Sequence, residues 1–165
     1  MSEVREVLPD EYLPISSEYL RSGRRNEVWT INWVRWDGQV LRASARLDGW
    51  QGSQTDANRF HVSIFAAREM DAQLAIIGMH LKLGLSRKTA EVWLLKSSEE
   101  CLAAITVPED VRFEMQFAFR KTSSGKLLTE RHSTITDERG GKMKLVSHGL
   151  MAWHESMGKL PDDLG

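Results

Sequence analysis

The sequence is short of the features that staple, anchor or charge a protein. It holds one cysteine, Cys101, among 165 residues, which excludes an internal disulfide and a cysteine-based zinc site. Its five histidines (His61, His80, His132, His148 and His154) show no HxH or HExxH spacing, so no metal site is predicted. It has no positive surplus: 22 Lys and Arg stand against 23 Asp and Glu. Such a chain is not built to displace counterions from nucleic acid or an anionic membrane. No apolar run approaches the ~18 residues of a membrane span. The first ten residues carry Glu3, Glu6 and Asp10 and no signal-peptide core, so a cytoplasmic location is expected. Proline is confined to four positions, and neither a repeat nor a low-complexity tract interrupts the chain.

What remains is one domain's length of sequence, able to bury about two-thirds of its unfolded surface. Six of its aromatic residues are Trp. Residues 1–26 read as an N-terminal arm, with Tyr12, Leu13, Tyr19 and Leu20 as docking points, and residues 154–165 as a tail. Glu27 to Leu47 reads as a hairpin: Trp29, Ile31 and Trp33 share one parity, and Leu41, Ala43, Ala45 and Leu47 alternate with polar residues. Asp37-Gly38 is the favoured pair for a tight turn between them. Asp48 to Asn58 is rich in turn formers and reads as a loop.

Arg59 to Leu83 is the one long helix candidate. Ile64, Ala67, Leu74, Ile77 and Leu81 fall at helical spacing, and further apolar residues widen that surface until the helix must be wrapped by other elements. Gly84 is the stop signal. The period then changes to two. Glu91 to Lys96 reads as a short strand ending at Ser97-Ser98. Val111 to Arg120, Lys126 to Asp137 and Lys142 to Trp153 read as a three-stranded meander. A hairpin, one buried helix and four strands are satisfied by one antiparallel sheet curled around one helix, an α+β hotdog architecture over residues 27–153.

In that architecture the start of the helix gathers unpaired N–H groups and positive potential, a suitable place to polarise a carbonyl. Asp56, Asn58, Arg59, Phe60, His61 and Ser63 stand there, with Asp56 or Asn58 equally readable as a simple helix cap. Trp50, in the preceding loop, is placed to wall a pocket. Arg68, Glu69 and Asp71 interrupt the apolar helix and are costly if buried unpaired. They either pair with strand residues or a partner subunit, or supply a carboxylate to a site. Ser97 and Ser98 offer hydroxyls to a substrate or are ordinary loop serines.

His61-Val62-Ser63-Ile64-Phe65 through Ala72-Gln73-Leu74-Ala75 resembles the helix of FcoT-type fatty-acyl thioesterases, where His-x-Asn is followed by Asn-Gln-Leu-Ala. Lys96-Ser97-Ser98 and the run to Pro108 and Phe113 are similar in order and spacing. Three polar positions of that pattern differ here: Ser63, Ala72 and Thr55. The resemblance implies a hotdog enzyme acting on acyl thioesters of CoA or acyl carrier protein, with His61 as the base and Ser97 or Ser98 at the substrate. Relatives in natural-product pathways add glycine to a (2E)-enoyl thioester and then hydrolyse it. Hydration or dehydration of 3-hydroxyacyl thioesters, with Asp71 or Glu69 assisting His61, is the alternative reaction, and non-catalytic acyl binding the alternative class. No cofactor motif is present and thioester chemistry needs none. The free edges of a hotdog sheet imply a homodimer at least.

Overall fold

The computed structural model describes residues 4–16, 28–50, 60–88, 90, 92–124 and 126–151. Thr55, Asp56, Asn58, Tyr19, Leu20 and Trp153 lie outside the described residues, as does the tail from residue 154.

Among the described residues, seven antiparallel strands form one sheet in the order β1-β2-β3-β5-β6-β7-β4. They are β1 (Arg5–Val7), β2 (Val28–Trp36), β3 (Val40–Asp48), β4 (Val92–Ala103), β5 (Val111–Lys121), β6 (Leu127–Thr136) and β7 (Lys142–Met151). A short helix, α1 (Pro9–Tyr12), continues into a single 3-10 turn at Leu13–Ile15. The long helix, α2 (Ile64–Lys82), lies in the curl of the sheet. This is the hotdog arrangement, and its meander of β5, β6 and β7 follows the alternation in the sequence: Val111, Phe113, Met115 and Phe117 are buried while Arg112, Glu114, Gln116 and Ala118 are exposed.

α2 is buried without a break from Gln73 to His80, nearly two full turns, so packing surrounds it on every side. Leu74 and Ile77 have no exposed surface, and burying each such side chain contributes about 1.5–3 kcal/mol. Gly78 lets β5 approach closely: a Cβ there would stand 2.5 Å from the tip of the Phe117 ring. The helix ends as expected. Gly84 takes φ +65°, its N–H reaches the Leu81 carbonyl, and the Leu85 N–H reaches His80 (2.9 Å), a Schellman closure.

Four expectations need correction. The helix begins at Ile64 and not at Arg59, because Ser63 adopts extended backbone and its Oγ accepts the Ala66 N–H at 3.1 Å. His61 therefore precedes the helix. The hairpin connection has three residues, 37–39, with the Asp37 carboxylate accepting the N–H groups of Gln39 and Val40. A bulge at Asn32 moves Trp33 to the outer face, away from Trp29 and Ile31. The Asn32 amide donates to Ser44 Oγ (2.9 Å) and to the Glu109 carbonyl (3.1 Å), which fixes the bulge. Finally, β4 runs on to Ala103, so Ser97 and Ser98 are mid-strand residues. Bulges near Leu95 and Leu102 let this exposed edge strand follow the twist of β7.

The arm contributes β1 and a buried Tyr12, and its Ile15 is fully enclosed. Of the tryptophans, Trp36 is buried and Trp29 packs on the core, but Trp93 is 65% exposed. Among the described residues, no helix is long and apolar enough to cross a membrane.

Candidate functional site

The start of α2 is held by backbone before any side chain acts. The Val62 N–H donates to the Ile105 carbonyl at 2.9 Å. Phe60 and Val62 are buried on either side of His61, which alternation turns outward and leaves exposed. The segment carrying Ile105 is itself anchored by Asp137. One carboxylate oxygen accepts the N–H groups of Thr106 (2.6 Å) and Val107 (3.1 Å), the other those of Arg139 (3.0 Å) and Gly141 (2.7 Å). Burial alone would raise the Asp137 pKa, but these four donors outweigh it and hold the carboxyl below its ordinary value. Trp50 leans on Phe60 with ring centroids 4.6 Å apart and remains partly exposed, so it borders the region beside His61.

A second polar cluster lies halfway along α2, on the side facing the sheet. Strand register aligns Ser97, Ser147 and Arg131 across β4, β7 and β6. Arg131 Nε and Nη2 both donate to Ser147 Oγ, at 3.0 and 2.7 Å. Its Nη2 stands 3.5 Å from Asp71 Oδ2, with both side chains about 4% exposed. Among the described residues, Asp71 Oδ1, Ser133 Oγ and Thr129 Oγ1 are buried without a partner at hydrogen-bond geometry, although the Ser133 hydroxyl stands near enough to Asp71 to favour its charged form. Burial pushes the Asp71 carboxyl above its ordinary value, against the opposing pull of the Arg131 charge. One turn earlier, Arg68 pairs with Glu99 of β4 at 3.0 Å. Arg68 and Asp71 are thus both met by strand residues.

Glu69 points elsewhere. Two residues along a helix rotate by about 200°, so Glu69 and Asp71 lie on opposite sides of α2. Glu69 borders a cavity of about 220 Å³ between the helix, β2 and the arm, walled by Tyr12, Leu13, Trp29, Ile31 and Met70. The Trp29 indole N–H donates to the Ala66 carbonyl at 3.0 Å, which fixes that wall to the helix.

The expected site residues therefore fall into separate groups. His61, Ser63 and Trp50 share the helix start. Asp71 and Ser97 share the buried row. Glu69 faces the cavity, and Ser98, paired with Val146 on the outer face, points away from the helix. Arg131, Ser133 and Ser147 escaped the sequence reading. Their signal was the parity of β6, whose inward positions run Leu127, Thr129, Arg131, Ser133 and Ile135, polar where a sheet against a helix calls for apolar residues. Among the described residues, no His, Cys, Asp or Glu side chains gather in a group able to hold a metal ion.

No protein-family model matches the chain, and no curated protein matches it in sequence. Solved structures resemble it in fold. A Lactococcus lactis protein described provisionally as a thioesterase superposes with TM-score 0.50 at 8% identity, covering 77% of this chain and 92% of that one. A phenylacetic acid degradation-related protein of Ralstonia eutropha JMP134, also described provisionally as a thioesterase, gives 0.50 at 10% identity over 75% and 84% of the two chains. A Streptococcus pneumoniae TIGR4 protein, a hypothetical thioesterase solved with coenzyme A, gives 0.49 at 10% identity over 75% and 85%. At these identities the likeness is one of fold.

Proposed function

We propose that the protein hydrolyses acyl thioesters at the start of α2, with His61 as the general base. The observation that carries this reading is His61 itself, an exposed imidazole on a backbone pinned through Val62, immediately before the cap of the enclosed helix. An imidazole has one ring nitrogen that accepts a proton and another that donates one, which suits proton transfer in both directions. Water attacks the thioester carbon as His61 takes its proton. The positive end of α2 stabilises the resulting oxyanion. Collapse expels the sulfur, which takes the proton back from the imidazolium, leaving carboxylic acid and thiol.

Within this reading Ser63 accepts the Ala66 N–H and keeps its own proton to donate to substrate, and Trp50 walls the acyl group. Asp56 and Asn58, expected from the sequence to bind substrate, lie outside the described residues. Ser97 is the β4 hydroxyl on the helix side. Asp71 sets the charge of the buried row. The carrier is CoA or acyl carrier protein. Resemblance to the FcoT-type helix supports a finer reading, in which a glycine-type amine adds its nitrogen to the β-carbon and its proton to the α-carbon of a (2E)-enoyl thioester before hydrolysis. The protein works as a homodimer through β4, a twelve-residue edge strand exposing Trp93, Leu94, Leu95 and Leu102.

Mass spectrometry of acyl- and (2E)-enoyl thioesters incubated with the protein, with and without glycine, tests the reading. Free acid and thiol are expected, with the rate falling about 10²–10⁴-fold in His61→Ala. Equal rates for the two proteins would overturn the role of His61. Loss of water from a 3-hydroxyacyl thioester without thiol release would replace hydrolysis by dehydration.

A further inference from the structure

We infer that the cavity beneath the N-terminal arm binds a small organic cation, an apolar primary ammonium whose charge rests against Glu69. Three observations converge. The cavity, about 220 Å³, has room for roughly seven water-sized groups at ~30 Å³ each, the size of a short alkyl- or arylamine. Its walls are mainly apolar, with Leu13, Ile31 and Met70 providing aliphatic surface and Tyr12 and Trp29 two aromatic rings. Glu69, half-buried on the same wall, makes no hydrogen bond or ion pair among the described residues, whereas Arg68 and Asp71 on the same helix are both paired.

An ammonium bound in the cavity gains a charge-assisted hydrogen bond to the Glu69 carboxylate, which no described residue already occupies. The aromatic rings act in the same direction, because the face of an indole or phenol attracts an ammonium and does not attract an anion. Carboxylate and rings together therefore select charge as well as shape. A carboxylate or phosphate ligand is repelled by the first and gains nothing from the second. The site is also pre-formed on the helix side, since the Trp29 indole is tied to the Ala66 carbonyl and loses little freedom on binding. It stands on residues other than His61 and does not depend on thioester hydrolysis.

NMR titration of the full chain with butylammonium, butanol and butyrate tests the proposal, reading the indole N–H signal of Trp29. Butylammonium is expected to shift that signal and to bind about tenfold more tightly than butanol, with butyrate weakest. Glu69→Gln keeps the shape and removes the charge, so the advantage of the cation over butanol should disappear. Leu13→Trp, at a rim position that is 43% exposed, fills the space from the arm side without touching the core and should abolish binding of both probes. Equal affinity of wild type for butanol and butylammonium, a Trp29 signal that does not move, or an unchanged cation preference in Glu69→Gln would each overturn it.

Discussion

Asp137→Asn isolates the clamp that positions the start of α2. Each oxygen of the native carboxylate accepts two backbone N–H groups. An asparagine in the same place retains one acceptor oxygen and turns an NH₂ group toward two N–H donors, so two charge-assisted bonds are lost whichever way the amide faces. Each is worth about 1.5–3 kcal/mol, which sets the cost at about 3 kcal/mol or more. For a chain of this length that lowers Tm by about 6–12 °C. The effect has a pH signature. Because the folded-state pKa of Asp137 is depressed, its contribution is complete above the unfolded value of ~3.9 and drains away as pH falls through the folded value. Urea unfolding of wild type and variant near neutral pH and in acid should show a gap that narrows on acidification. A gap under ~1 kcal/mol at neutral pH, against two bonds of ~1.5 kcal/mol or more, would refute the account. So would a gap of the same size in acid.

Arg131→Met leaves the Asp71 carboxylate buried without its cation and should cost about 3–5 kcal/mol in urea unfolding, while adding Asp71→Leu should recover most of the loss. Gly78→Ala sets a gain of about 1 kcal/mol in helix propensity against an overpacking cost of about 1–3 kcal/mol from the Phe117 ring. A net loss in Tm is expected, relieved by Phe117→Leu. Trp93→Lys places a charge on the exposed apolar edge of β4, and light scattering should report the monomer mass where wild type reports a dimer.

Much of the architecture is legible because alternation and helical spacing are read residue by residue. The unbroken parity of Val111 to Phe119 gives β5, and Gly84 gives the end of α2. The start of α2 is less legible, because Phe60 continues the helical spacing of Ile64 and Ala67 while Phe60 and Val62 also alternate about His61 as in an extended segment, and the bond from Val62 to Ile105 decides between them. The bulge at Asn32 depends on partners twelve and seventy-seven residues away, Ser44 and Glu109, which no local pattern contains. The length of β4 was hidden by Ser97 to Glu100, polar residues that an edge strand tolerates and a central strand does not. At the site, the opposed directions of Glu69 and Asp71 follow from helix geometry alone. The pairing of Asp71 with Arg131, sixty residues later, does not.

The position of β4 in the sheet has a consequence for synthesis. β4 is made before the meander, yet its partner is β7, so the Trp93–Leu95 edge waits about 55 residues, from Leu95 to Leu150, before it can pair. At about 5–20 residues per second that delay is ~3–11 s on the ribosome. During it, an apolar strand and an apolar helix are exposed together. The nascent chain is therefore most vulnerable to aggregation, and most in need of a chaperone, while its middle is already made and its last strand is not.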